Sequence, residues 1–368
     1  MRGLTDVISA LRAVRDFPAR CAFERSCADI APAAGIVLGF GRVLDPGRTV
    51  HGGAVKLLSL KKAFDCDEST FSVLYLVSSS LPRFAEELAG LCRKRGIPLV
   101  WNQNGVGYPA WAGRRADEFN APMQRLRASA RFVIYQSEFC RLSAQRFLGP
   151  SQVPSRVLLN PVDLEIFSPP SGSRREGPLR LLAMGTQNYP ARALNVIRAA
   201  GILRRSGCDC SLTLAGKILW KGGEQQVAEA AQQEGLTTAF RRVGVFSRTE
   251  AVSLCRSHDI LLHPKYMDPC PTVVAEALAC GLPVVAAASG GLPEMVDNDA
   301  GCLIPVPEDW STSHTPSAEH MADAVSAIAS DLPAYSRAAR RCAETRFSEE
   351  RWIDAHREIL SPGSLSDL

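Results

Sequence analysis

The sequence predicts an α/β protein of two lobes, each built on a parallel β-sheet. Apolar runs bounded by turn residues alternate with helix-like segments along the chain, a pattern typical of parallel strands joined by helices. A chain of 368 residues that is 46% hydrophobic is too long for one ordinary core and suits two domains. A segment rich in proline, glycine, serine and charge, SPPSGSRREGP, interrupts the alternation near residue 170, as a linker does.

Ten apolar runs are the predicted strands, five on each side of this linker. The first five are AAGIVLGF, FSVLYLV, IPLVWNQNG, RFVIYQS and SRVLLNPVD. The second five are LRLLAMG, CSLTLAGK, RRVGVF, DILLHP and LPVVAAASGG. We therefore predict a Rossmann-like domain at residues 1–170 and a second one at residues 171–344, which face each other across a cleft.

The cysteines and the hydropathy favour a cytoplasmic protein without a metal. Twelve cysteines are scattered through apolar runs, which is typical of buried thiols in a reducing compartment. No Cys-x-x-Cys pair occurs, and Cys208 with Cys210 lacks the companion ligands of a zinc site. The N-terminus has no long apolar stretch, and no segment approaches the roughly 20 apolar residues of a membrane span.

The positive charge of the chain is concentrated in the first lobe. Residues 1–165 carry 22 Lys and Arg against 15 Asp and Glu, whereas the remainder carries 20 against 23. This excess fits a solvated surface, and it also fits attraction to an anionic acceptor or to lipid headgroups at the inner face of a membrane. The N-terminal LTDVISALRAVRDF has helical apolar spacing, so packing on the protein and peripheral membrane contact both stay open. The basic clusters lack interleaved aromatic residues, which does not favour nucleic acid.

The stretch DPCPTVVAEALACGLPVVA, from Asp268 to Ala286, predicts an anion site. It follows the strand run DILLHP and opens a helix, and ligands of open α/β sheets bind at the carboxyl ends of strands. Backbone amides at the helix N-terminus then hold a diphosphate through hydrogen bonds and the helix dipole. Glu276 lies near enough to bind ribose hydroxyls, and Asp268 faces the other end of the same ligand. A helix cap followed by one exposed glutamate is the alternative.

This stretch resembles the donor signature of the retaining glycosyltransferases of family 4, which have the GT-B fold. The family's Glu-x7-Glu pattern precedes AMACGxPVVA, a glycine pair and PE; here Asp268 and Glu276 precede ALACGLPVVA and SGGLPEMV. The upstream GVFSRTEAVSLCRSHDILLHP and NPVDLEIFSP are also similar to family segments. The resemblance is clear over roughly residues 155–310, and it implies that the last helix, about residues 345–360, packs back on the first lobe.

The resemblance implies a role for each matching position. The ribose is bound by Glu276, a hydroxyl of the donor sugar donates to Asp268, and the backbone of residues 270–273 contacts sugar and phosphate. In PGRTVHGGAVKLL the glycine pair opens a helix, as in the family's glycine loop near the donor phosphates, and the neighbouring His51 is a further candidate. The implied catalytic residues are Asp268 and Arg192, and the implied donor-binding residues are Glu276, Gly53, Cys270, Thr272, Val273, Thr186 and Asn104.

Two further segments depart from the family pattern. In MGTQNYPARALNVIRAA, Arg192 takes the place of the family's Lys, and Thr186 stands where the family has Arg. Lys217 and Lys265 are candidate substitutes for the missing cation. After the run PLVW, Asn104 replaces a family His, and its amide still donates and accepts hydrogen bonds.

Three other side chains near these motifs are predicted to be structural. His263 ends an apolar strand and is interpreted as a satisfied core histidine. Tyr108 and Trp111 follow a strand and are interpreted as packing residues, with stacking on an acceptor sugar as the alternative.

The sequence therefore predicts a metal-independent, retaining glycosyltransferase of the hexosyltransferase type, without a cofactor. It moves a sugar from a nucleoside-diphosphate sugar to a sugar, lipid-linked or small-molecule hydroxyl acceptor, in glycan, polysaccharide or glycolipid synthesis. A catalytically silent nucleotide-sugar-binding protein is the alternative favoured by Thr186 and Asn104, and another GT-B enzyme such as a nucleotide-sugar epimerase or a phosphorylase also stays open. A nicotinamide oxidoreductase is disfavoured, because no GxGxxG follows the first strand.

Overall fold

The computed structural model describes residues 17–25, 27–44, 53–172 and 177–366. His51, Gly52 and residues 1–16, which include most of the segment with helical apolar spacing, lie outside the described residues. No helix in the described part of the chain is long and apolar enough to cross a membrane.

The first lobe is a parallel sheet with helices between successive strands. Its strands are β1 (Val37–Gly39), β2 (Asp65–Cys66), β3 (Val73–Val77), β4 (Leu99–Gln103), β5 (Phe132–Tyr135) and β6 (Ser155–Val157). Its helices are α1 (Gly53–Ala63), α2 (Ala85–Lys94), α3 (Pro109–Ala112), α4 (Ala116–Ser129) and α5 (Glu138–Leu148), with a 3₁₀ turn at Gly113–Arg115. Residues 17–25 are also helical. The strand order is β2-β1-β3-β4-β5-β6.

The second lobe repeats this arrangement. Its strands are β7 (Leu179–Met184), β8 (Cys210–Ala215), β9 (Phe240–Val243), β10 (Ile260–His263), β11 (Val284–Ala288) and β12 (Gly301–Pro305), in the order β12-β11-β10-β7-β8-β9. Its helices are α6 (Pro190–Arg205), α7 (Gly223–Gln233), α8 (Arg248–Ser257), α9 (Thr272–Ala279), α10 (Leu292–Met295), α11 (Ala318–Ala329) and α12 (Leu332–Arg346). The chain continues into α13 (Glu349–Leu360) and α14 (Pro362–Ser366).

The two parallel sheets confirm the predicted α/β fold class. All described strand pairs are parallel, and central strands such as β3 and β10 are buried along their whole length, as strands covered on both faces are. All ten predicted strands occur, and β2 and β12 are additional. The first sheet ends at Val157 and the second begins at Leu179, while the domain limits at residues 170 and 344 stay predictions.

Helix α13 packs on the first lobe. Its Trp352 and Ile353 share a buried apolar cluster with Leu57 of α1. Its His356 Nε2 lies 2.9 Å from the hydroxyl of Tyr75 in β3, and burial lowers the pKa of His356 to about 4. Helices α1 and α13 therefore pack on the same face of the first sheet, opposite to the face that α2 and α4 cover.

One carboxylate of the second lobe caps a helix of the first lobe. The amides of Glu138 and Phe139, at the start of α5, donate to the two carboxylate oxygens of Glu294 at 2.5 and 2.8 Å. A negative charge at a helix N-terminus satisfies amides that have no acceptor within the helix and interacts favourably with the helix dipole. The glutamate of the sequence SGGLPEMV thus links the two lobes through hydrogen bonds.

Candidate functional site

The candidate site is built on the loop between β10 and α9, at the carboxyl end of the second sheet. The glycine pair of SGG packs directly against this loop. Gly290 has a φ of +65°, and a Cβ at that position would lie 2.4 Å from the carbonyl oxygen of Asp268; at Gly291 it would lie 2.1 Å from that of Pro269. The Gly291 amide also donates to the Asp268 carbonyl at 2.9 Å. Only glycine permits this approach, so the SGG turn and the loop pack backbone against backbone.

Asp268 is a buried carboxylate with one oxygen left for a ligand. Its Oδ2 contacts Lys265 Nζ at 2.7 Å and His263 Nε2 at 3.1 Å. Burial by itself raises the pKa of Asp268, but Lys265 and His263 more than offset it and hold that pKa well below its ordinary range. The side chain is therefore ionised, and no donor to Oδ1 is found within the described residues. A sugar hydroxyl can donate to this second oxygen.

His263 belongs to this site and is more than a core histidine. It is buried as predicted, but its partner is the candidate catalytic carboxylate. Burial lowers the pKa of His263 although Asp268 acts in the opposite direction. The imidazole is neutral near pH 7, so Nε2 carries its proton and donates to the ionised Asp268. The sequence gives no signal of this contact beyond a spacing of five residues.

Arg192 brings a second cation to Asp268. It lies in the first turn of α6, which begins at Pro190, and 8% of its surface is exposed. Its Nε is buried and has no hydrogen-bond partner within the described residues. Burial lowers the pKa of Arg192 and the charge of Asp268 raises it, yet a guanidinium stays charged in proteins. The charge of Asp268 thus acts on Arg192, while no ion pair between the two side chains is found among the described residues.

The two candidate substitutes for the missing family cation differ in position. Lys265 is paired with Asp268 and 36% of its side chain is exposed, whereas Lys217 is exposed in the loop after β8. Thr186 is exposed in the loop after β7. Together with Arg192 and Asp268, Lys265 gives the cluster one net positive charge, which favours an anionic ligand.

The N-terminus of α9 adds amides to this positive site. Pro271 is the N-cap residue, and Thr272 and Val273 are half-buried at the start of the helix, where amides lack acceptors within the helix. Glu276 follows one turn later and is half-buried. Burial raises the pKa of Glu276 to about 7, and Arg248 opposes this shift.

Cys270 is held by the segment that enters the second lobe. Its thiol accepts from the amide of Asn160 at 3.3 Å, and its carbonyl accepts from Asn160 Nδ2 at 2.7 Å. Burial raises the pKa of the Cys270 thiol, so it stays protonated. Asn160 stands in the motif NPVD, and its contact with the site was not predicted.

The first lobe contributes the opposite wall. A Cβ at Gly53, the start of α1, would lie 2.6 Å from Ser79 Oγ, so glycine lets this helix approach the end of β3. Asn104 is buried just after β4. A Cβ at the next residue, Gly105, would lie 2.9 Å from Pro269 Cγ, which shows that the two lobes meet at the Asp268 loop.

Of the two aromatic side chains that follow β4, one is buried and the other is exposed. Tyr108 is buried, and its ring centroid lies 5.2 Å from that of Trp310 in an edge-on arrangement. It therefore packs, as predicted. Trp111 is 46% exposed, although its indole N–H donates to the carbonyl of Val106 at 2.8 Å.

The part of the chain that carries most of this site is similar to known proteins. Residues 167–339 match the family Glycosyl transferases group 1. Glycogen synthase of Mycobacterium tuberculosis is 29% identical over 206 residues, which are 55% of this chain and 47% of that protein. D-inositol 3-phosphate glycosyltransferase of Saccharomonospora viridis is 32% identical over 217 residues, 54% of this chain and 48% of that protein. The matched part thus spans about half the length of these curated relatives.

Solved structures confirm the GT-B fold. Anabaena HepE, crystallised in complex with UDP, superposes with a TM-score of 0.66 at 15% identity over 91% of this chain and 100% of that chain. Sucrose-phosphate synthase from Thermosynechococcus elongatus gives a TM-score of 0.63 at 17% identity over 83% of this chain and 75% of that chain. At such identities the likeness establishes the fold alone.

The Glycosyl transferases group 1 match covers most of the candidate site. Asp268, Arg192 and Glu276 lie inside it, whereas Asn104 and Gly53 belong to the first lobe outside it. Within the described residues, no group of three or more His, Cys, Asp or Glu side chains is placed to hold a metal ion.

Proposed function

We propose that this protein is a retaining family 4 glycosyltransferase of the hexosyltransferase type, which moves a sugar from a nucleoside-diphosphate sugar to a hydroxyl acceptor. The observation that carries the proposal is the ionised Asp268, which precedes α9, is paired with Lys265 and acts on the charge of Arg192 in α6. The match to Glycosyl transferases group 1 and the GT-B fold support the same activity.

Each part of the donor meets a group of matching chemistry in this proposal. The amides at Thr272 and Val273 and the cation of Arg192 stabilise the diphosphate as the bond from the anomeric carbon to the phosphate oxygen breaks. Asp268 Oδ1 accepts from a sugar hydroxyl, and Glu276 accepts from the ribose. The acceptor oxygen bonds to the anomeric carbon from the same face, and its proton passes to the leaving phosphate oxygen.

The proposal also covers the nucleotide of the donor and the location of the enzyme. UDP is the first nucleotide to test, because HepE of this fold was crystallised with UDP and with UDP-glucose. We further propose that the enzyme works without cofactor on the cytoplasmic side, where the basic first lobe attracts an anionic or lipid-linked acceptor to the membrane.

Thermal unfolding and product analysis test this function together. The unfolding temperature is measured with UDP, GDP and ADP, and transfer or hydrolysis is measured with UDP-glucose, UDP-N-acetylglucosamine, GDP-mannose and ADP-glucose. A diphosphate at 100 times its dissociation constant adds about 2.7 kcal/mol of stability. Stabilisation without turnover of any sugar would indicate a silent binding protein. A product with inverted anomeric configuration in the NMR spectrum would exclude retention.

Glu276→Ala is expected to weaken binding of the stabilising diphosphate by about 1.5 to 3 kcal/mol, because a hydrogen bond from ribose to a charged group is lost. Isothermal titration measures the affinity. The control is Glu229→Ala, an exposed helical glutamate on α7, which should bind like the parent. Unchanged affinity in folded Glu276→Ala would remove Glu276 from the donor site.

Sugar transfer is expected to continue in excess EDTA. Arg192 and the α9 amides, rather than a divalent cation, stabilise the leaving diphosphate in the proposed mechanism. The measurement is the initial rate before and after treatment with the chelator, with the buffer's own metal content removed. Loss of the rate in EDTA and its return with Mg²⁺ or Mn²⁺ would contradict the proposed mechanism.

A further inference from the structure

Lys56 on α1 is a buried ammonium whose three hydrogen bonds all go to neutral amides. Its Nζ donates to Asn102 Oδ1 at 2.7 Å, to Asn104 Oδ1 at 2.8 Å and to Gln136 Oε1 at 3.1 Å. Only 3% of the residue is exposed. Burial lowers the pKa of Lys56 to about 8, so it remains largely protonated at neutral pH. Three bonds use every donor that an ammonium has.

The ammonium fixes which way each amide faces. An asparagine side chain presents an acceptor on one side and two donors on the other, and turning it over changes its shape little. With Oδ1 bound to Lys56, the NH₂ group of Asn102 faces Tyr75, to whose hydroxyl it donates at 2.9 Å. The NH₂ group of Asn104 likewise faces Ser79 and donates to its Oγ.

Asn104 stands where the first lobe meets the candidate donor site. The following residue, Gly105, packs against Pro269, the neighbour of Asp268. The charge of Lys56 also acts on the thiol of Cys270, so the ammonium lies just behind this part of the interface. One N–H of Asn104 is bound to Ser79, and the other has no acceptor within the described residues.

We propose that Lys56 is a positioning residue for sugar transfer, which holds the Asn104 amide so that its second N–H donates to an oxygen at the sugar end of the donor, opposite Asp268. The inference rests on the proposed function. This role explains how an asparagine can bind the donor at position 104. Because Lys56 occupies Oδ1, the Asn104 side chain presents an N–H donor to the ligand and not its oxygen acceptor.

If Lys56 only stabilised the fold, the effects of mutations on turnover would differ from those expected of a positioning residue. Lys56 links residues at the ends of β4 and β5, so its loss alters stability in either case. If Lys56 acts through Asn104, however, its removal should matter little to turnover once Asn104 has been removed. A double-mutant cycle measures this dependence, because residues that act as one unit give non-additive effects.

The variants are Lys56→Met, Asn104→Ala and the two combined. The control is Lys61→Met, an exposed lysine on the same helix. Transfer is measured with whichever of UDP-glucose, UDP-N-acetylglucosamine, GDP-mannose and ADP-glucose the parent uses fastest, and binding is measured with the corresponding free diphosphate. If Lys56→Met does not fold, Lys56→Gln replaces it, because glutamine keeps two N–H donors and lacks the charge.

We expect Lys56→Met and Asn104→Ala each to lower kcat roughly 10- to 100-fold, as a misplaced group near the reacting atoms does, and the combined variant to lose no more than the worse single one. Affinity for the free diphosphate should stay within about twofold, and Lys61→Met should match the parent. Multiplying losses in the combined variant, or parental turnover of Lys56→Met, would overturn the inference and leave the proposed function intact. A parent without turnover of any of the four donors would overturn both.

Discussion

Asp268→Asn is expected to bind the free diphosphate nearly as well as the parent and to transfer sugar roughly 100-fold more slowly, the loss that misplacement by about 1 Å can cause. In the proposed mechanism the amides of α9 hold the phosphate, and Asp268, which precedes α9, accepts from the sugar hydroxyl through its second carboxylate oxygen. An amide at this position can no longer accept charge-assisted bonds from Lys265, His263 and the sugar hydroxyl together. Steady-state kinetics and calorimetry on the same preparation separate the two effects.

The matched control for this change lies at the other end of the same strand. Asp259 precedes β10, is also buried and contacts Arg180 at 2.8 Å. Asp259→Asn should lower the unfolding temperature but leave the turnover of folded protein unchanged. Asp268→Glu, with the longer side chain of the family pattern, should keep part of the activity. Parental turnover in Asp268→Asn would reduce that residue to a loop cap.

The sheets were predictable because most of their strands are buried on both faces. A strand covered by helices on both sides has no solvent face, so β3 and β10 appear in the sequence as continuous apolar runs. The two strands that were not predicted lack this signal. β2 has two residues, neither fully buried, and β12 is partly buried along its length.

The candidate site was predictable where its residues follow one another in the chain. Asp268, Thr272 and Glu276 belong to one strand, loop and helix, so their spacing alone places them around a helix N-terminus. Contacts between distant segments leave no such pattern. Lys56 and Gln136 are 80 positions apart, and the cap that Glu294 gives to α5 joins residues 156 positions apart. Only the fold brings these groups together.

Burial also decides the protonation states, which a sequence does not contain. The carboxyl groups of Asp268 and Glu276 lie eight positions apart in one motif, yet their pKa values are shifted in opposite directions. Lys265 and His263 lower the pKa of Asp268 and hold it ionised. For Glu276, burial raises the pKa by more than Arg248 lowers it. A ligand that donates hydrogen bonds to Glu276 favours its ionised form, which fits a role in binding rather than in turnover.

Arg192→Met is expected to lower turnover roughly 100- to 1000-fold, which is the range for loss of one group that stabilises charge in a transition state. It should also weaken binding of the free diphosphate, unlike Asp268→Asn, because the proposed mechanism has the guanidinium stabilise the diphosphate. Arg192→Lys keeps the charge and matches the family pattern, so part of the activity should remain. Initial rates and titration of the diphosphate measure these effects, with Arg198→Met, an exposed arginine on the same helix, as the control.

Stability should respond to Arg192→Met in the opposite sense to activity. The side chain is buried, its Nε has no partner within the described residues, and Met has an apolar side chain that fills much of the same space. Replacing such a charge by an apolar group is often neutral or stabilising, so the unfolding temperature without ligand should stay equal or rise while turnover falls. Such a divergence is expected of a residue retained for function at the expense of stability. Lower stability with parental turnover would instead make Arg192 a packing residue that neutralises Asp268.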